Sequence, residues 1–220
     1  MARIVKILIR LGAVVFLAFA HYWALRVAPP DRMMGDVYRI LFVHVPAAWG
    51  AMLFFTVSFF SSLVYLVRRK RTADLWAESG AEVGVVLTGL ALALGSLWGR
   101  PVWGVWWTWD PRLTTTALLF LMYLGYLILR RQIPDPEKRG AIAAVVGVLI
   151  FLNVPIVYLS VKWWRSLHQV QSSPETMEPS MIFSLRLCAA ALLSVSLLLF
   201  WERLRLARAR RELEERGEGG

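Results

Sequence analysis

The sequence predicts an all-α polytopic membrane protein with six transmembrane helices, both termini cytoplasmic and a tryptophan-rich extracytoplasmic segment between helices three and four. Three observations predict it. The chain of 220 residues is 58% hydrophobic, with a mean hydropathy of +0.55. Its apolar residues fall in six runs, near 5–27, 40–67, 83–98, 113–129, 141–161 and 181–201, and about 20 apolar residues at ~1.5 Å rise cross ~30 Å of hydrocarbon. Lys and Arg are divided unequally. Seventeen lie at the N-terminus, in 68–71, in 130–139 and in the C-terminal tail, against seven in the alternating connections, which places both termini in the cytoplasm.

The six runs leave almost no chain for a soluble domain. Residues 1–220 are therefore read as one membrane domain, with 98–114 as its extracytoplasmic tryptophan-rich segment and 202–220 as a charged cytoplasmic tail. The formal net charge of +10 is on this reading a topology signal. A nucleic-acid interface would need its basic residues gathered on one folded face beside base-reading groups, and none is expected.

The first run is longer than a signal-peptide core, and Ala24-Leu25-Arg26-Val27 is a poor cleavage site; it is read as a retained helix. It carries His21, a functional candidate as any intramembrane ionisable group is, although a bond to a headgroup or neighbouring helix accounts for it equally well. The second helix begins outside with His44-Val45-Pro46-Ala47-Ala48-Trp49-Gly50. Pro46 is tolerated in these first turns, and the small residues after it let another group pack against His44.

On the cytoplasmic side Asp74, Glu78 and Glu82 recur at four-residue spacing and share a helical face. They read as a solvated helix extension, with a docking surface for a soluble partner as the alternative. Helix three is rich in small residues, among them Gly84, Gly89 and Gly95, as where spans pack closely.

It delivers the chain to Trp98-Gly99-Arg100-Pro101-Val102-Trp103-Gly104-Val105-Trp106-Trp107-Thr108-Trp109-Asp110-Pro111-Arg112-Leu113-Thr114. An aromatic belt would decorate both membrane faces, but nine of the eleven tryptophans lie at or near the outer one. If the segment is helical, Trp103, Trp106, Trp107 and Asp110 share a face and form a flat apolar platform. Asp110 before Pro111 also reads as an N-cap followed by proline at the first helical position. Arg100 and Arg112 flank the platform as candidate partners for ligand carboxylates.

Helix five contains Asn153 and Pro155, so a kink or polar contact is expected. It emerges at Trp163-Trp164-Arg165-Ser166-Leu167-His168-Gln169 and continues as a polar, exposed stretch to Pro174. Cys188, the single cysteine, lies in helix six and reads as a packing residue.

Two histidines from different connections, His44 and His168, thus fall on the same membrane face as the tryptophans. A large flat ligand with a central metal and an acidic rim would use imidazoles, indoles and arginines together. Haem is such a ligand, and histidine is a common axial ligand to it. Three other classes stay open: a cytochrome c synthase, for which His21 is the single further histidine; a transmembrane cytochrome b-type electron carrier, which needs histidine pairs at membrane depth; and a permease subunit with no cofactor of its own.

The tryptophan-rich stretch, together with Tyr38-Arg39-Ile40, the His44 segment and Trp163 to Gln169, resembles the WWD motif and flanking segments of the haem-handling membrane proteins of cytochrome c maturation. Within them the chain is similar to the CcmC, or haem exporter protein C, family over essentially its whole length. The resemblance implies that His44 and His168 are the axial ligands of haem iron, and that Trp103, Trp106, Trp107, Trp109 and Asp110 present the haem. It implies haem b held transiently and without a covalent bond at the periplasmic side of the bacterial inner membrane, then passed to the haem chaperone CcmE. The partners implied are CcmA, CcmB and the small CcmD. No Walker A pattern or Ser/His/Asp arrangement appears, so ATP hydrolysis is expected in a partner and no enzymatic step in this chain. Proline after Asp110 departs from the family pattern and favours the capping role.

Overall fold

Short connections between long apolar helices dictate an up-and-down bundle. The computed structural model describes residues 2–168 and 177–217; the polar stretch expected from Gln169 to Pro174 and the last residues of the tail lie outside the described residues. The helices are α1 (Ala2–Tyr22), α2 (Leu41–Arg68), α3 (Arg71–Trp103), α4 (Pro111–Gln132), α5 (Pro136–Phe151), α6 (Asn153–Trp163) and α7 (Pro179–Gly217), with no strand among the described residues. Six stretches are long and apolar enough to cross a membrane: Ile4–Val27, Asp36–Arg68, Arg71–Trp103, Pro111–Gln132, Pro136–Trp163 and Pro179–Glu214. The chain is a multi-pass membrane protein. The tryptophan-rich segment lies at one end of the bundle, here the tryptophan end, and the start of α1 and the end of α7 mark the other, the arginine end.

The arginine end departs from expectation. α3 begins at Arg71, twelve residues before the apolar run suggests, so Asp74, Glu78 and Glu82 sit within the packed helix. Asp74 and Glu78 are buried and not solvated, because Arg130 of α4 reaches both of them. Arg210 of α7 pairs with Glu78, and Arg203 with Glu82. Burying charge is tolerable only with such pairing. The charged extension of α7 is thereby packed against α3 instead of projecting free.

Small residues let α3 pack closely on α2. Gly84 of α3 lies against the Phe55 ring of α2, and that ring stacks on Tyr123 of α4 with centroids 3.8 Å apart. On the far side α1 packs on α7, where Cys188 is buried against the Ala20 carbonyl.

The fifth span decides where space is left. The irregularity expected there falls at Leu152, which separates α5 from α6 within one apolar span. Pro155 has no N–H for the carbonyl four residues back, and Asn153 Nδ2 donates to the Thr115 carbonyl of α4 at 2.8 Å. α5 packs on α2, with Phe59 stacked on Phe151 at 4.2 Å, whereas α6 packs on α4. The stripe of α2 that α5 covers at Phe59 continues toward the tryptophan end as Met52, Ala48, Val45 and Leu41. There it faces a cavity instead of a helix.

Candidate functional site

The cavity occupies about 370 Å³ between α2, α3, α4 and α6, a volume typical of small-molecule sites at ~300–1,000 Å³. His44 of α2 and His168 of the segment after α6 both line it, together with Trp49, Trp98, Arg112, Thr116 and Tyr158. Most of the remaining wall is aliphatic. Trp49 and Tyr158 are also exposed, at 47% and 43%, so the cavity reaches the surface on the α2 and α6 side.

Each imidazole is held by one nitrogen. His44 Nδ1 lies 2.8 Å from the Ala91 carbonyl oxygen of α3. A carbonyl only accepts, so Nδ1 carries the proton and the neutral ring keeps its lone pair on Nε2. Close approach of α3 makes this contact possible: a Cβ on Gly95 would stand 3.1 Å from His44 Cε1.

His168 Nδ1 lies 3.0 Å from Asp110 Oδ1. Burial pushes the His168 pKa down; the Asp110 charge opposes this and the Arg112 charge adds to it, and the net direction is down, favouring the neutral ring. Burial pushes the Asp110 carboxyl up, but bonds from Ser166 and the Leu167 N–H, then the nearby His168 and the Arg112 N–H, outweigh it and hold the pKa below the usual carboxylate range. An ionised carboxylate has no proton to give, so the His168 Nδ1–H donates. The second ring is therefore also left with Nε2 as its lone-pair nitrogen, the arrangement in which a carboxylate orients a metal-binding histidine.

The tryptophan-rich segment does not form the helical face considered from the sequence. α3 runs through Pro101 to Trp103 and stops at Gly104, whose φ of 80° suits a residue without Cβ. Arg100 donates to the Gly104 carbonyl, and residues 107–110 are irregular. The indoles divide into two groups. Trp98 is buried in the cavity wall, and Trp103 stands edge-on to both Trp98 and His168, at 5.1 and 5.0 Å between centroids. Trp107 is half-buried and edge-on to Trp109 at 5.9 Å, while Trp106 and Trp109 are exposed, Trp109 at 81%.

Residues 1–218 match the profile of the family described as Heme exporter protein C. This chain belongs to the Heme exporter protein C family. Among curated relatives of that name, the one from Bradyrhizobium diazoefficiens is 40% identical over 205 residues, covering 93% of this chain and 77% of the relative. The Escherichia coli K12 relative is 34% identical over 196 residues, covering 89% and 80%. That from Haemophilus influenzae is 36% identical over 203 residues, covering 90% and 80%.

In this Heme exporter protein C family member the predicted site residues are brought together unequally. His44, His168 and Arg112 line the cavity, Trp103 packs on His168, and Asp110 bonds to it. Trp106, Trp107, Trp109 and Arg100 are not among the cavity's lining residues. His21 Nδ1 bonds to the Leu17 carbonyl of its own helix at 2.8 Å, away from the cavity. Sequence reasoning missed Gly95, Tyr158 and Ser166. Gly95 lies in a run of small residues that reads equally as ordinary helix packing, and Ser166, although inside the Trp163 to Gln169 segment, has no residue near it in sequence that assigns it a partner.

Proposed function

We propose that this protein holds haem b non-covalently between His44 and His168 at its extracytoplasmic face. On this reading it delivers the haem to the chaperone CcmE during c-type cytochrome biogenesis, as the CcmC subunit of a CcmABCD complex in the bacterial inner membrane. One observation carries the reading. Histidines from α2 and from the segment after α6 line a single cavity, and each has its Nδ1 committed to a protein acceptor. Two imidazole nitrogens are what an iron porphyrin lacks, since the macrocycle occupies the equatorial positions itself.

The rest of the wall suits the same cargo. Aliphatic residues and the Trp49 and Trp98 indoles meet an apolar ring, and Arg112 brings positive charge toward a propionate. Trp98 Nε1 is a buried donor with no partner among the described residues. Exposed Trp106 and Trp109 extend the aromatic surface outward, where a chaperone docks. Exchange of one imidazole for a chaperone ligand then permits transfer, and ATP hydrolysis falls to a partner subunit.

Orientation rests on the arginine-rich connections. The experiment is an absorption spectrum of the purified, haem-loaded protein. A six-coordinate low-spin spectrum is expected, lost in the His44→Ala, His168→Ala double variant. An unchanged spectrum in the double variant would overturn the assignment.

A further inference from the structure

We propose that Asp110 is a positioning residue: its one carboxylate both caps α4 and latches the Ser166–His168 segment, setting the proton of His168 on Nδ1 and leaving Nε2 for a ligand. Five donors converge on it. Oδ1 accepts from the backbone N–H of Arg112 at 2.9 Å and of Leu113 at 3.4 Å, and from His168 Nδ1 at 3.0 Å. Oδ2 accepts from Ser166 Oγ at 2.8 Å and from the Leu167 N–H at 2.7 Å. Ser166 Oγ in turn accepts the His168 N–H at 3.0 Å, closing the loop around the ring. Trp103 stands against the same ring edge-on.

The chain contains its own comparison. Asp135 before Pro136 is a second Asp-Pro cap, accepting from the N–H groups of Glu137 at 2.8 Å and Lys138 at 3.1 Å. Its carboxylate is exposed and also pairs with Lys138. Capping needs only one oxygen, as Asp135 shows. At Asp110 the second oxygen is committed to a segment more than fifty residues away. Asparagine caps a helix as well as aspartate, but its NH₂ cannot accept from the two donors that meet Oδ2. The requirement for a carboxylate at Asp110 therefore comes from the latch and not from the helix.

The inference rests on the proposed haem site only for its second arm. In the first, the full-length apo protein carries ¹⁵N-labelled histidine, giving three imidazoles to resolve, and is compared with Asp110→Asn, Asp135→Asn and Ser166→Ala. The His168 proton is expected on Nδ1 in the parent and in Asp135→Asn; in Asp110→Asn the new NH₂ opposes the Leu167 N–H, drives the Ser166–His168 segment off the cap and with it the His168 ring off Oδ1, so the proton is expected to be displaced from Nδ1. In the second, haem titration is expected to show affinity about 10- to 100-fold weaker for Asp110→Asn and unchanged for Asp135→Asn. Should Asp110→Asn fail to fold, Ser166→Ala, which keeps the cap, carries the same test and is expected to loosen the tautomer preference. An unaltered His168 tautomer in both Asp110→Asn and Ser166→Ala overturns the proposal. A parent that binds no haem overturns the haem reading alone, because the tautomer arm is decided without haem.

Discussion

Arg130→Ala is expected to destabilise the bundle by about 3–5 kcal/mol, the usual cost of stripping one partner from a buried ion pair. Arg130 is only 3% exposed. Its Nη1 donates to Asp74 Oδ1 at 2.7 Å, and its Nη2 donates to Asp74 Oδ2 at 3.0 Å and to Glu78 Oε2 at 3.1 Å. Removing the guanidinium leaves the Asp74 carboxylate buried without this partner, whereas Glu78 keeps Arg210. Arg130→Lys keeps the charge but loses the planar fork that spans two carboxylates, and an intermediate loss is expected. Combining Arg130→Met with Asp74→Asn and Glu78→Gln should recover much of the stability, since it removes the uncompensated charge. Thermal unfolding of the detergent-solubilised protein measures all three. A single alanine variant within about 0.5 kcal/mol of the parent, as for an ordinary surface change, would refute the cluster's structural role.

Gly95→Leu is expected to produce the largest loss of haem binding from a residue that bonds to nothing, by about 100-fold or more, the upper end for a disturbed ligand support. Its Cβ would stand 3.1 Å from His44 Cε1, and Gly95 itself lines the cavity. A leucine there therefore displaces the imidazole and fills ligand volume at once. Gly95→Ala adds only the Cβ, and a loss of about tenfold is expected. Gly125→Ala is the control: a Cβ there meets nothing within 4 Å, and alanine has the better helix propensity. Haem titration followed by absorbance reads the series. Equal affinity in Gly95→Leu and Gly125→Ala would show that His44 does not need this close approach.

Different physics explains what was legible. Spans are written in composition, because a helix in hydrocarbon must be apolar for about 20 residues, and all six were located. Their ends were less legible where polar residues are buried. Asp74 and Glu78 look like the end of a span because their pairing with Arg130 comes from a different helix. His44 and His168 stood out by their rarity in an apolar chain. The indoles of 98–114 did not sort themselves, since Gly104 breaks the helix and places Trp103 against His168 while Trp109 points outward.

By itself the sequence determined the class of molecule, its six crossings, a kink or polar contact near Asn153 and Pro155, the Asp110 cap and the pair of histidines worth watching. Each of these depends on residues close together in the chain, where hydropathy, charge and capping act directly. Only the tertiary structure decided that α6 leaves α2 and opens a cavity, that Gly95 lets His44 reach the Ala91 carbonyl, and that Asp110 holds His168 as well as α4. Those are contacts between distant segments, and their distances are set by how whole helices pack, which no local pattern encodes.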